Sequence, residues 1–276
     1  MMKICSNGEF YPADTPLLAG QNRSFKWGDG LFETAKLYRG RLLLADLHFE
    51  RLFSGLKLLQ INCSKGFTQD NLVDKIITLC TQNNCLESAR IRLAVYRTDE
   101  NTTGFLIEAS NLDEAVNRWQ DDGLTVCLYP HARKSMDAFA NIKSAAYLPY
   151  ILAQRFASEK GVDDTLVLNA ANLICDSAKA NVFLIKGNTV CTPALHQGCI
   201  NGIMRRIVMG EVKRLGYRLR HDEVSEEVLL AADEVFLTNA IQIIRWVKSY
   251  KSSAYGCEKT RQIFEAVSAT IFSAPC

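Results

Sequence analysis

The stretch Asn141-Ile142-Lys143-Ser144-Ala145-Ala146-Tyr147 places one lysine between an irregular segment and a predicted helix over residues 148–160. Apolar Ile142 precedes Lys143 and two small alanines follow Ser144, so the lysine side chain can lose hydration. Lost hydration lowers the pKa of a lysine and leaves a neutral amine that attacks carbonyl carbons. For a lysine taken alone, a solvated position at a helix start is the commoner alternative. The rest of the chain has to supply the reason for preferring a reactive lysine.

The composition predicts an ordinary globular protein without a strong charge field. Of the 276 residues, 48% are hydrophobic and 22% are charged, which suits a sizeable core and about two domains. The net charge is only +2, from 32 basic and 30 acidic residues. This balance argues against nucleic acid or a membrane surface as a partner.

The cysteines and the apolar runs indicate the compartment. The ten cysteines form neither a CxxC pair nor a Cys/His cluster, so we expect reduced thiols and no metal site. The chain turns polar directly after its start, which is not typical of a signal peptide, and no apolar run reaches the ~18 residues of a membrane span. We therefore expect a cytoplasmic protein.

The first part of the chain predicts a sheet with helices. Strands are expected around residues 4–11, 31–38, 89–95 and 105–107, and a helix with an apolar stripe follows Asp46. His48 and Arg51 lie three residues apart in this helix and hence on one face. The alternative for Arg51 is a surface ion pair with Glu50 or another nearby acid.

The second part begins after a polar, acidic segment, within which we place a linker at residues 116–123. The helix over 148–160 is expected to bury Ile151, Leu152 and Phe156. Four short strands between residues 165 and 192 then predict an antiparallel meander.

Two later segments suit an anion. Gly198-Cys199-Ile200-Asn201-Gly202 leads into a predicted helix from Ile203, and the first amides of a helix have no internal acceptor. A routine helix capped by Asn201 is the alternative. Thr238-Asn239-Ala240 follows a predicted strand over 234–237 and adds a hydroxyl and further amides.

Six motifs in the same order resemble those of the fold-type IV pyridoxal-phosphate enzymes, the class IV aminotransferases and aminodeoxychorismate lyases. They are Phe25-Lys26-Trp27-Gly28-Asp29-Gly30-Leu31-Phe32-Glu33-Thr34, His48-x-x-Arg51-Leu52, Asn141-Ile142-Lys143, Asp176 through Asn181-Val182-Phe183, Asn201-Gly202-Ile203-Met204-Arg205 and Thr238-Asn239-Ala240.

The resemblance implies a cofactor, pyridoxal 5'-phosphate, and a role for each matching residue. Lys143 would form the Schiff base with the cofactor, and Arg51 would reach its phosphate. The amides of Ile203 and Met204 and the loop Thr238-Asn239-Ala240 would complete the phosphate site. Tyr147 would lie either beside the cofactor or in the core.

The resemblance also implies an α+β fold of the D-amino-acid aminotransferase-like, fold-type IV architecture. A small α/β domain (residues 1–115) would precede the linker, and a larger domain with a β-barrel-like core (residues 124–276) would follow it. Homodimers are usual in the family.

Asp176 departs from the family pattern, which usually has a glutamate that keeps the pyridine nitrogen protonated. The carboxylate is retained with one methylene less, and Ala178 and Ala180 replace neighbouring serines. A loop cap is the alternative role for this aspartate.

The resemblance leaves three functions open. We expect a 4-amino-4-deoxychorismate lyase, which releases pyruvate and 4-aminobenzoate, because Asn201-Gly202 and Thr238-Asn239-Ala240 are more similar to the lyase motifs. A class IV aminotransferase acting on branched-chain or other small amino acids is the second possibility, and a non-catalytic scaffold is the third. The ligand of the substrate carboxylate stays unassigned, with Phe32, Arg97 and Lys26 as candidate neighbours.

Overall fold

The structure is a computed structural model that describes residues 2–99 and 101–273. The chain forms two compact units. The first unit comprises the chain up to Ala115 together with Ile142–Tyr147, and the second comprises Val116–Asn141 and the chain from Leu148 onward. The assignment of residues 116–123 to a linker between two domains stays a prediction.

The first unit is a six-stranded antiparallel sheet in the order β2-β1-β6-β5-β3-β4. Its strands are β1 (Lys3–Ser6), β2 (Glu9–Pro12), β3 (Gly30–Tyr38), β4 (Arg41–Leu42), β5 (Ser88–Arg97) and β6 (Thr103–Asn111). Its helices are α1 (Arg23–Trp27), α2 (Ala45–Leu58) and α3 (Gln69–Gln82).

Strand β3 has two faces with different chemistry. Its odd-numbered residues pack into the core with α2 and α3, and Leu37 and Leu52 in that core are almost completely buried. Alternation along a strand sends the even-numbered residues to the opposite face. The expected stripe on α2 is confirmed, since Leu52 and Leu56 are buried and Phe53 and Leu59 pack against the same core.

The second unit is built on a nine-stranded sheet that curls into a half-barrel, in the order β12-β11-β10-β13-β14-β7-β8-β9 with β15 on β14. Its strands are β7 (Leu124–Lys134), β8 (Asp164–Asn169), β9 (Ile174–Ser177), β10 (Asn181–Lys186), β11 (Thr189–Pro193), β12 (Arg218–Asp222), β13 (Glu234–Asn239), β14 (Ile243–Tyr250) and β15 (Ser253–Ala254). Its helices are α4 (Leu148–Lys160), α5 (Ile203–Arg214), α6 (Glu226–Leu230) and α7 (Glu258–Ser273), and short 3-10 turns occur at Glu114–Asn117 and Leu195–Gln197.

The predicted continuous meander is wrong. The hairpins β8–β9 and β10–β11 both form, but β10 uses its other edge to pair with β13. Strand β9 therefore lies at one end of the sheet order, although it directly precedes β10 in sequence. The pairing of β10 with β13 joins segments about fifty residues apart, and local alternation carries no signal for such a partner.

The bounds of α4 are confirmed and Phe156 is half-buried against Tyr129, but the expected burial of Ile151 and Leu152 is wrong. Tyr150, Ala153 and Ala157 are buried, whereas Ile151 is 48% exposed and Leu152 is 38% exposed. The two alanines allow close packing of the helix in the second unit. Within the described residues, none of the helices combines the length and apolarity that crossing a bilayer requires.

Candidate active site

Lys143 is fixed to the start of β3 by backbone hydrogen bonds. The amide of Phe32 donates to the Lys143 carbonyl at 3.0 Å, and the amide of Ala145 donates to the Gly30 carbonyl at 2.9 Å. The Lys143 amine lies 4.2 Å from the centroid of the Phe32 ring and 3.5 Å from the Tyr147 hydroxyl. Aromatic faces attract an ammonium group. The partial shielding expected from the sequence therefore comes from Phe32 and Tyr147, while Ile142 packs against the core.

A row of cations continues from Phe32 along the same face of the sheet. Lys36 shares the face of Phe32 in β3, and Arg92 on β5 places its guanidinium carbon 4.9 Å from the centroid of the Phe32 ring. Lys36 is only 2% exposed, and burial lowers its pKa to about 8. The ion pair of Arg92 with Glu108 is 3.4 Å long and half-exposed, hence weak. Sequence reasoning missed both cations, although a lysine inside the apolar alternation of β3 was a signal.

Arg51 is held in the first unit by a buried carboxylate. Its Nε donates to Oε1 of Glu33 at 2.8 Å and its Nη2 donates to Oε2 at 2.5 Å. His48 Nδ1 lies 2.7 Å from the same Oε2. Burial acts to raise the pKa of Glu33, but Arg51 and His48 outweigh it and bring the pKa to about 2. The shared face of His48 and Arg51 is thus confirmed, and Arg51 forms a buried ion pair with Glu33 in place of the alternative surface pair.

Asp176 lies in β9 with 1% exposure and is surrounded by donors. Its Oδ2 accepts from the Tyr150 hydroxyl at 2.7 Å and from the Ile200 amide at 3.0 Å, and the Lys134 amine lies 3.4 Å away. Its Oδ1 accepts from Asn181 Nδ2 at 2.8 Å. Burial raises the pKa of Asp176 against the opposing effects of Lys134 and Tyr150. A strand residue with these contacts is not a loop cap.

Asn181 joins this carboxylate to the start of α5. Its Nδ2 also donates to the Ile200 carbonyl at 2.8 Å, and in the sheet Asn181 pairs with Thr238 of β13. A Cβ atom added to Gly202 would lie 2.0 Å from Asn181 Oδ1, so any other residue there would displace the Asn181 side chain. The Asn181 side chain thereby connects Asp176 with the start of α5, and the backbone of Asn181 pairs with Thr238. The sequence identified Asn181 only as part of a motif.

Helix α5 begins without a side-chain cap. Gly202 is the N-cap residue, so the alternative of an Asn201 cap is wrong. Ile203 and Met204 are buried and occupy the first turn, where the amides lack intrahelical acceptors. Such a turn can hold a phosphate through its N–H groups and its dipole.

The segment Thr238-Asn239-Ala240 is less open than expected. Thr238 and Asn239 still belong to β13, and the Thr238 hydroxyl donates to the Ile243 carbonyl at 2.5 Å. The Asn239 side chain accepts from the amides of Ile241 and Gln242 at 2.9 and 2.8 Å. These two side chains shape the turn that follows the strand, which leaves backbone amides rather than the hydroxyl for an anion.

Two suggested neighbours of the substrate carboxylate have other roles. Arg97 donates to Asp29 Oδ2 at 3.0 Å and to the Leu59 and Gln60 carbonyls at 2.7 and 2.9 Å. Lys26 donates to Gln21 at 2.5 Å in an exposed position. Arg97 therefore fixes the polar connection after β5, whereas Phe32 does lie beside Lys143.

Each unit contains groups whose chemistry suits a part of pyridoxal phosphate. In the second unit, the uncapped α5 start can hold a phosphate through its amides, and the Asp176 carboxylate can accept a hydrogen bond from a ring nitrogen. In the first unit, the Lys143 amine can react with an aldehyde. When bound, this cofactor serves as an electron sink for carbanion chemistry.

Comparison with known proteins gives the family. The chain matches the model for amino-transferase class IV over residues 30–250. It is 27% identical over 251 residues to the aminodeoxychorismate lyase of Bacillus subtilis (strain 168), which covers 89% of this chain and 86% of the relative. It is also 27% identical over 248 residues to a putative branched-chain-amino-acid aminotransferase of Methanocaldococcus jannaschii. This alignment covers 86% of this chain and 84% of the relative.

The fold agrees with this family. A hypothetical aminotransferase from Mycobacterium tuberculosis in its PLP-bound form matches with a TM-score of 0.85 at 18% identity, over 98% of this chain and 99% of that one. The expected fold class is confirmed. The chain belongs to the amino-transferase class IV family, and it is an enzyme of fold-type IV that depends on pyridoxal 5'-phosphate.

Proposed function

We propose that this enzyme is a 4-amino-4-deoxychorismate lyase, with Lys143 as its catalytic residue. The observation that carries the proposal is the cationic face beside Lys143. Lys36 and Arg92 lie on the face of Phe32, whose ring contacts the Lys143 amine. The lyase substrate has two carboxylates and an amine, so it requires cations at a distance from the lysine. A branched aliphatic side chain would instead require an apolar surface.

In this proposal each residue has a physical task. Lys143 binds the cofactor and then, as a freed amine, takes the proton from the substrate carbon that bears nitrogen. Tyr147 lies within 3.5 Å of the Lys143 amine and orients it. Arg92 and Lys36 bind the substrate carboxylates, because charge-assisted hydrogen bonds to carboxylates are strong in a partly buried site.

The proposed cofactor contacts are those that the motifs implied. Arg51, oriented by Glu33, contacts the phosphate together with the amides of Ile203 and Met204. Backbone groups of Thr238, Asn239 and Ala240 add to that site. Asp176 binds the ring nitrogen.

An aminotransferase is the second candidate, favoured by the relative from Methanocaldococcus jannaschii, which is as similar to this chain as the lyase from Bacillus subtilis. One experiment separates the two. The purified enzyme is given 4-amino-4-deoxychorismate and, separately, a panel of amino acids with 2-oxoglutarate. Pyruvate release with formation of 4-aminobenzoate is the expected result. Keto-acid exchange without pyruvate would refute the lyase assignment and support the aminotransferase.

The role of Lys143 is tested in parallel. Lys143→Ala should abolish both the reaction and the absorbance band of the lysine-bound cofactor. Lys57→Ala removes an exposed lysine of α2 in the same unit and should change neither. An unchanged absorbance band in Lys143→Ala would exclude this lysine as the attachment site.

We also infer a cytoplasmic homodimer. Free thiols throughout the described residues suit a reducing compartment. Apolar residues on α4 support self-association, since Leu148 is 66% exposed and Ile151 is 48% exposed.

A further inference from the structure

We propose that Tyr150 and Lys134 are positioning residues for Asp176, which saturate its Oδ2 so that its Oδ1 keeps an acceptor position for the ring nitrogen of the cofactor. The inference rests on the proposed cofactor role of Asp176. This positioning would explain how an aspartate, whose side chain is one methylene shorter than that of glutamate, can bind the ring nitrogen.

The distribution of donors around Asp176 is uneven. A carboxylate has about four acceptor positions, two on each oxygen. Oδ2 receives the Tyr150 hydroxyl and the Ile200 amide, and the Lys134 amine stands beside it. Among the described residues, Oδ1 receives a hydrogen bond from Asn181 alone. One lone pair of Oδ1 is therefore available to a further donor.

Lys134 is itself fixed in place. It donates to the carbonyls of Ala140, at 2.6 Å, and Gly198, and its amine lies 5.6 Å from the centroid of the Tyr150 ring. Its side chain is 10% exposed and that of Asp176 is 2% exposed. A buried carboxylate without a nearby cation would take up a proton. Lys134 thus favours the ionised form of Asp176, which is the form that a protonated ring nitrogen requires.

The other titratable groups at this carboxylate are neutral. Cys175 precedes Asp176 in β9 and Cys199 lies in the turn before α5, and both are buried. Burial raises the pKa of Cys175 far above its usual value and that of Cys199 to about 12. Lys134 and Tyr150 are therefore the side chains that can adjust the charge of Asp176.

The proton between Asp176 and the ring nitrogen has two positions. It lies either on nitrogen, beside an ionised carboxylate, or on Oδ1, beside a neutral ring. The Tyr150 hydroxyl and the Lys134 amine stabilise the ionised carboxylate more than the neutral carboxyl group, so their removal shifts the proton from nitrogen to oxygen. Because each variant loses one interaction with a charged group, the ratio of protonated to neutral ring should fall at least about tenfold.

The test is the nitrogen resonance of the ring in enzyme loaded with ¹⁵N-labelled pyridoxal phosphate. We expect a protonated ring in the unaltered enzyme and a shift toward the neutral resonance in Tyr150→Phe and Lys134→Met. Tyr150→Phe removes a single oxygen atom, so it remains informative if Lys134→Met fails to fold. Tyr255→Phe is the matched control, because this buried tyrosine of the same unit donates to the Leu229 carbonyl. It should leave the resonance unchanged.

The variant Asp176→Asn distinguishes failure of the positioning role of Tyr150 and Lys134 from failure of the cofactor role of Asp176. A neutral ring in Asp176→Asn, with an unchanged resonance in Tyr150→Phe and in any folded Lys134→Met, would overturn the positioning role alone. A ring that stays protonated in Asp176→Asn, or is neutral in the unaltered enzyme, would overturn the cofactor role of Asp176 as well.

Discussion

Glu33 and Arg51 form a two-point ion pair, with the Arg51 Nε 2.8 Å from Oε1 and the Nη2 2.5 Å from Oε2. The pair is nearly inaccessible to water, with Arg51 at 11% and Glu33 at 6% side-chain exposure. The fork of a guanidinium matches a carboxylate in this geometry and loses little entropy when held. Glu33 therefore fixes the direction of the arginine that we assign to the cofactor phosphate.

Glu33→Gln should lower the free energy of unfolding by about 3–5 kcal/mol at pH 7, because it leaves Arg51 without its buried counter-charge. The pKa of Glu33 is about 2, below its value in an unfolded chain, so the unfolded state binds more protons in this range. The contribution is complete above about pH 4.5 and is lost as the pH falls toward 2. Denaturant titrations across this window, for both proteins, measure the effect.

Glu108→Gln provides the control for this experiment. Glu108 pairs with Arg92 on the same sheet but is 50% exposed, so its loss should cost at most about 1 kcal/mol. Equal losses in the two variants would contradict a special role for the buried pair.

Lys36→Met should change how stability depends on alkaline pH. Burial lowers the pKa of Lys36 to about 8, so between pH 8 and about 10.4 the unfolded chain binds the additional proton. The free energy of unfolding of the unaltered protein gains about 3 kcal/mol from this group across that window. The variant lacks this gain. Parallel stability curves for the two proteins would show that burial does not lower the pKa of Lys36.

Gly202→Ala should disrupt the site by steric contact alone. Gly202 has a φ of −64°, which alanine adopts without strain, but the new Cβ would lie 2.0 Å from Asn181 Oδ1. Displaced Asn181 would lose its bonds to Asp176 and to the Ile200 carbonyl, so we expect at least a tenfold weaker affinity for the cofactor, about 1.4 kcal/mol. Equilibrium binding of pyridoxal phosphate measures this.

Gly210→Ala serves as the control in the same helix. A Cβ atom at Gly210 meets nothing within 4 Å, so this change should stabilise α5 by up to about 1 kcal/mol without affecting the cofactor. Similar weakening by both alanines would refute the steric explanation.

Ile151→Glu tests the homodimer. Ile151 is 48% exposed on α4, so a charge there should leave the fold of the subunit intact and abolish an interface that buries it. Sedimentation velocity should then show a monomer. Glu159→Gln, on the same helix, should retain the mass of the unaltered protein, and a monomeric unaltered protein would disprove the dimer.

Local patterns predicted the elements well where neighbours in sequence are also neighbours in space. The bounds of α4, the apolar stripe of α2 and the start of α5 at Ile203 all follow from patterns within one turn or two. The pairing of β10 with β13 and the buried face of α4 depend on distant segments, and single-sequence periodicity does not report those.

The residues of the candidate site were likewise predictable from the sequence only where their chemistry depends on near neighbours in the chain. Lys143 and the start of α5 could be identified because their chemistry is local to a few residues. Lys134, Tyr150 and Asn181 could not, because they meet at Asp176 from three separate elements. Lys36 was detectable in principle, as a charge within an apolar strand, and its burial was the missing information.

Because Ile142–Tyr147 are hydrogen-bonded to β3, the first unit cannot be separated from the second by a single cut in the chain. The main segment of the first unit ends at Ala115, but the unit also includes six residues from further along the chain, Ile142–Tyr147. Lys143 is one of these six residues. A fragment truncated at Ala115 would leave the Phe32 amide and the Gly30 carbonyl without the partners that Lys143 and Ala145 provide. Complementation between two fragments cut there would therefore have to return the lysine to β3 as a strand from the other polypeptide.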